Sequence, residues 1–180
     1  IEMSAPNIQM EKLLSVMHAY DLKFEDLRYA IKKMSGFKVH VVGDTIVDSY
    51  TRTNLIGGQT KTPTFSVLYQ GQDNYIGGAG IVAQHLSAAG ANVTFSTVLG
   101  KDALGEFVLE GLYEAGINCN AILDETRPTT NKNAIIAGGY RLLKIDTLDN
   151  RSISDSILEK LVLGMKNTFS DSVVFADFRH

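Results

Sequence analysis

Residues 77–105 read GGAGIVAQHLSAAGANVTFSTVLGKDALG and hold six glycines. This stretch constrains the fold more than any other, because its glycines punctuate two different periodicities. Small residues lead into IVAQHLSAA, a helical run stopped by Gly90. NVTFSTVLG follows as a strand. Asp102 then caps a second helix, which places Leu104, Phe107, Val108 and Leu112 inward and ends at Gly116. Helix, strand and helix in such quick succession demand parallel strands joined by crossover helices, so the chain is expected to be α/β with a mainly parallel sheet.

The rest of the sequence fits that frame. FKVHVVGD is a buried strand ending at Gly43, SISDSILEKLVLGMKN a helix opened by Ser152 or Ser154, and DSVVFAD a last strand. Because a helix normally follows such a strand, the chain is expected to be part of a longer polypeptide. Between these units lie two patches of different texture, about 50–76 and 130–146. They are rich in Thr, Gln, Asn and Gly with short alternating pieces, and are expected to form a small second sheet acting as a lid or a dimer surface. Residues 5–34 carry two helical patterns, one through Leu13, Leu14, Met17 and Tyr20 and one through Phe24, Leu27, Ile31 and Met34. Residues 1–36 are therefore expected to be a helical linker or the end of a preceding domain.

Composition removes several function classes. A net charge of −3 over 180 residues leaves no basic excess for nucleic acid. Apolar runs are broken well before a membrane-spanning length, so no membrane partner is expected. One cysteine, Cys119, excludes an internal disulfide, fits a reducing cytoplasm, and is expected to be inert. His18, His40, His85 and His180 have no metal-like spacing, so no metal site is expected among them.

Candidate site residues cluster at strand ends. Asp44 and Asp48 lie just beyond the first strand, where open α/β sheets gather their ligands, although Asp44 also suits a turn. For the glycines, a phosphate-binding P-loop fails because no Gly-Lys-Ser/Thr follows. A dinucleotide fingerprint, as in an NAD-dependent oxidoreductase, lacks its third glycine and a preceding buried strand. A helix N-terminus reached closely by a polar, anionic or hydroxyl-rich ligand is the better match, and it is compatible with tight helix-on-sheet packing.

VVGDTIVDSY, then YIGGAGIVAQHLSAAGANVTFSTVLGKDALGEFVLEGLYEAGIN, then PTTNK resemble the amino-terminal part of the ribokinase-like (PfkB) carbohydrate kinases over roughly residues 37–180. Within them the resemblance is closest to the kinases of D-glycero-manno-heptose phosphate. It implies a ribokinase-like α/β fold with a β lid, of which this chain is a partial domain. It implies ATP-dependent phosphorylation of a sugar or sugar phosphate, with ATP and Mg²⁺ bound mainly outside this chain. Asp48 matches the family's sugar-binding acid, and Gly77 and Gly78 match the glycines that let the sugar approach backbone. Lys132 matches a lysine near the lid that would attract a sugar phosphate, or else is a solvated strand lysine. Lys144 and Asp146 are expected to be structural.

Two departures qualify the expectation. Ile81 stands where the family carries an Asn that reads the sugar, and isoleucine neither donates nor accepts a hydrogen bond. The family's second signature, Asp-Thr-x-Gly-Ala-Gly-Asp, which supplies the anion hole and catalytic base, does not occur in these 180 residues. No catalytic residue is therefore expected in this chain, and alone it is expected to be inactive. The alternative is an inactive sugar-binding or regulatory module. A fused nucleotidyltransferase and a homodimer through the lid strands complete the expectations.

Overall fold

A computed structural model describes residues 8–57 and 64–179. The first residues of the expected 5–34 helical stretch, part of the first lid patch and His180 lie outside the described residues. In chain order the elements are α1 (Ile8–Ala19), α2 (Phe24–Lys33), β1 (Lys38–Gly43), β2 (Thr45–Leu55), β3 (Val67–Gly78), α3 (Ala79–Ala88) and β4 (Asn92–Gly100). There follow α4 (Ala103–Glu114), β5 (Asn118–Asp124), β6 (Thr130–Ala137), β7 (Tyr140–Thr147), α5 (Asp155–Lys166) and β8 (Ser172–Ala176).

Among the described residues eight strands form two sheets. The base sheet, in order β5-β4-β1-β8, is parallel throughout. The second sheet, in order β3-β2-β6-β7, joins two antiparallel hairpins through one parallel pairing, β2 with β6. That parallel seam differs from two purely antiparallel insertions. It arises because each hairpin leaves the base sheet in the same direction. The second sheet also begins earlier and ends later than the Thr/Gln-rich texture, at Thr45 and Thr147.

One face of the base sheet carries the core. Val39 and Val41 of β1 and Val93, Phe95 and Leu99 of β4 pack with Ala83 of α3 and with Val108 and Leu112 of α4. Burying each large side chain here stabilises by about 1.5–3 kcal/mol. Val47 of β2 and Ile76 of β3 belong to the same cluster, so the second sheet is rooted in the core. The opposite face is mixed: His40 Nε2 lies 2.8 Å from Ser96 Oγ, the register sets Val42, Val173 and Phe175 on the same side, and of α5 only Ile157 is buried. No helix among the described residues is long and apolar enough to cross a membrane.

The helical spacing of residues 8–34 is realised, but most of its apolar side chains face outward. Met17 is buried, whereas Leu13, Leu14 and Tyr20 are exposed and α2 buries none. Met34 and a 3.2 Å bond from Gly36 N–H to Gly90 carbonyl attach this pair to the rest. Strand β5 is absent from the sequence reading. Its NCNAILD is poor in β-branched residues, and it becomes a strand by pairing with β4. Cys119 lies on it, and burial pushes its thiol up to about 11, so it is protonated at neutral pH.

The GKDALG segment explains its own glycines. Asp102 Oδ1 accepts the Gly105 N–H at 2.8 Å, capping α4 as expected, while Oδ2 accepts the Thr129 N–H at 2.8 Å. Thr129 Oγ1 in turn accepts the Gly100 N–H at 3.0 Å. A Cβ on Gly100 would collide with Thr129 N, so only glycine lets the β5–β6 crossing lie this close. Partial burial works against the charge of Asp102, but the Thr129 and Gly105 N–H groups prevail and hold it below the usual carboxylate range.

Replacing Asp102 with Ala removes both bonds and should lower the unfolding free energy by about 2 kcal/mol, measured by urea titration. An unchanged midpoint would contradict the role. Burial lowers the pKa of His40 below its ordinary 6.5. The unfolded chain therefore takes up that proton first. The contribution of His40 is complete above pH 6.5 and lost as the pH falls below it. Urea midpoints measured between pH 7.5 and 5 should fall in the wild type and fall less in His40→Asn.

Candidate active site

The second sheet sets the site by its register. Asp48, the fourth residue of β2, lies opposite Tyr75 of β3 and Lys132 of β6. Directly paired residues project to the same face, so this face presents an acid, an aromatic and a cation side by side. Tyr50 shares it and meets Tyr75 edge to face, with ring centroids 5.7 Å apart. Asp146, the register partner of Lys132 on β7, pairs instead with Lys144 at 3.1 Å. Arg52 and Asp73 form a further ion pair farther along the hairpin.

These pairings leave two charges uncommitted. Among the described residues neither the Asp48 carboxylate nor the Lys132 ammonium has an ion-pair or hydrogen-bond partner. Asp48 is half-buried, so its bare carboxylate is placed to accept hydrogen bonds from a ligand.

Gly77 stands beside it. A Cβ there would fall on the Asp48 carboxylate oxygen Oδ2, so glycine is what leaves that carboxylate approachable. Gly78 has φ +59, and a Cβ on it would come within 2.5 Å of the Asp44 carbonyl. That carbonyl accepts the Ala79 N–H at 2.9 Å, so one amide at the start of α3 is occupied by the protein itself. Ile81 follows in the first turn of α3, half-buried and with no polar contact to offer.

Asp44 behaves differently from Asp48. It caps no local turn: Oδ1 accepts the Phe178 N–H beyond β8 at 2.7 Å. Its Oδ2 is buried without a hydrogen-bond partner. It borders a cavity of about 190 Å³ between the base sheet and the root of the second sheet, lined also by Thr45, Thr97, Arg127, Thr130 and Asp149. Thr130 is the register partner of Ile46 and so lies on the same face as Asp48 and Lys132.

The structure thus brings together Asp48, Gly77 and Lys132 on one face and sets Asp44 at its base. Gly78 serves the turn into α3. Tyr50 and Tyr75, and the cavity residues Thr97, Arg127 and Thr130, were not singled out from sequence. The tyrosines occupy alternate strand positions whose facing is known only once the strands are paired. Among the described residues no group of three His, Cys, Asp or Glu side chains stands close enough to hold a metal ion.

Comparison with known proteins shows the family of the chain. Residues 37–163 match the model of the pfkB family carbohydrate kinases. Bifunctional protein HldE of Sulfurimonas denitrificans is 31 % identical over 144 residues, 78 % of this chain and 30 % of that protein. D-beta-D-heptose 7-phosphate kinase of Bordetella bronchiseptica is 29 % identical over 119 residues, 66 % of this chain and 38 % of that protein. The chain therefore spans about a third of the length of these relatives.

Among solved structures, phosphofructokinase-2 from Escherichia coli superposes with a TM-score of 0.58 at 16 % identity, over 78 % of this chain and 44 % of that one. A carbohydrate kinase from Agrobacterium tumefaciens gives 0.53 at 19 %, over 77 % and 45 %. The fold is that of the ribokinase-like sugar kinases, and the chain belongs to the pfkB family of carbohydrate kinases.

Proposed function

We propose that the parent protein transfers the γ-phosphoryl group of ATP to a heptose-phosphate-like sugar, and that this chain supplies the sugar-binding face and lid. The observation that carries this is the pair of uncommitted, neighbouring charges Asp48 and Lys132 beside the bare Gly77. Asp48 accepts hydrogen bonds from two adjacent sugar hydroxyls, which a neutral acceptor does less well. Lys132 attracts the phosphate already on the sugar. Tyr50 and Tyr75 offer an apolar face against the ring, and Gly77 and Gly78 let the sugar lie against backbone. Asp44 presents its bare oxygen at the base of the site.

Such transfer needs ATP and Mg²⁺. The part proposed for this chain is to bind and orient the sugar. The bifunctional relatives suggest a nucleotidyltransferase in the same parent polypeptide. The edge strands β3 and β7 suit pairing between two copies. The single, half-buried Cys119 suits the cytoplasm.

A second reading, an inactive sugar-binding or regulatory module, is favoured by Ile81. Calorimetric titration separates the two, using a heptose 7-phosphate and the matching unphosphorylated heptose. Asp48→Asn should weaken binding of both by about ten-fold or more, the size expected for charge-assisted hydrogen bonds. Lys132→Met should weaken only the phosphorylated sugar. Equal binding by wild type and Asp48→Asn would reject the site. Much tighter binding by Ile81→Asn would favour a decayed kinase, and unchanged binding a different substrate.

A further inference from the structure

The two hairpins of the lid are rooted on the base in different ways. The β2–β3 hairpin enters at Asp44 and leaves at Ala79, and these two are joined by the Ala79 N–H to Asp44 carbonyl bond. Its root side chains Val47 and Ile76 sit in the core. The β6–β7 hairpin, which carries Lys132, places no side chain in that core cluster; its hold on β2 is the strand pairing, with Asn131 Nδ2 donating to the Val47 carbonyl at 3.0 Å. It enters through residues 125–129 and leaves through residues 148–154.

These two crossings are tied to each other by reciprocal arginines. Arg127 in the first donates from Nη2 to the carbonyls of Arg151 at 3.3 Å and Ser152 at 3.1 Å in the second. Arg151 in the second donates from Nη2 to the Thr126 carbonyl at 3.3 Å in the first. Each guanidinium is held by its own carboxylate. Arg127 Nε donates to Asp124 Oδ2 at 3.0 Å, and Arg151 Nε donates to Asp149 Oδ2 at 2.9 Å.

The Arg127–Asp124 pair is the deeper one, its side chains only 13 % and 7 % exposed. Asp124 is in turn fixed by the Thr126 N–H and hydroxyl at 2.9 and 2.7 Å. The Arg151 side chain is 73 % exposed, where an ion pair alone contributes little. Its use is therefore directional: the planar fork reaches a backbone carbonyl while staying on its carboxylate. Thr129, two residues past Arg127, is clamped by Asp102, which ties the crossing to the base.

We infer that Arg127 is a positioning residue: with Arg151 it straps both roots of the β6–β7 hairpin into one unit and so holds Lys132 opposite Asp48. The strap is a property of the ligand-free protein and does not depend on which sugar the face binds. Lysine cannot replace Arg127, because a point charge can hold Asp124 but cannot also span two carbonyls.

Hydrogen exchange of the ligand-free 180-residue chain, read by mass spectrometry, tests this. In Arg127→Lys and in Arg151→Gln, peptides covering 125–131 and 145–153 should exchange about ten-fold faster. Peptides covering β1 and β4 should stay within about two-fold of wild type. The double variant should be no faster than Arg127→Lys alone. Unchanged exchange in the crossings, full rescue by lysine, or multiplied effects in the double variant would overturn the strap. Arg151 is exposed, so Arg151→Gln carries the test even if Arg127→Lys fails to fold. Equal acceleration of every peptide in Arg151→Gln would also overturn it.

Discussion

The whole arrangement depends on how closely one backbone crossing approaches the end of β4. Asp102 is the hub of that approach, capping α4 with one oxygen and holding the Thr129 amide with the other. Gly100 makes room for it, since any side chain there would collide with Thr129. The crossing leads directly into β6, and β6 pairs with β2 along eight residues. The position of Lys132 opposite Asp48 is thus set by a carboxylate some thirty residues earlier in the chain. A charge held below the usual carboxylate range by two amides suits this task, because it stays ionised wherever the protein is folded near neutral pH.

The candidate site is built by subtraction as much as by addition. Neighbouring charges on the same sheet face are satisfied within the protein: Asp146 by Lys144, and Asp73 by Arg52. Asp48 and Lys132 are left over, and Gly77 keeps the space beside Asp48 open. A half-buried carboxylate without a partner keeps its acceptor oxygens open, which is the ground for the proposed ligand contact. Ile81 works the other way. It places an apolar group in the first turn of α3, so the proposed recognition rests on the lid face and the backbone.

Much of this was legible in the sequence, because the signals were local. Gly90 and Gly116 end helices where they should, Asp102 and Ser154 cap them, and the apolar strands β1, β4 and β8 form the base sheet. The family resemblance rested on glycines whose spacing is fixed by close approach, which substitution cannot imitate. The remainder was set by pairing between distant segments. NCNAILD became β5 only through β4, and the parallel seam between β2 and β6 joins residues about eighty positions apart. The strap between Arg127 and the carbonyls of Arg151 and Ser152 likewise leaves no mark in either segment alone. Asp44 looked like a turn residue, yet it holds the amide of Phe178 at the far end of the chain.

The central claim is that the Asp48 face of the lid is where the sugar lies. A crystal structure of the chain soaked with a heptose 7-phosphate tests it most directly. The account requires sugar density against Gly77, with two hydroxyls within hydrogen-bonding distance of the Asp48 carboxylate and the phosphate turned toward Lys132. Density for the sugar elsewhere, with Asp48 still bare at saturating ligand, would contradict it.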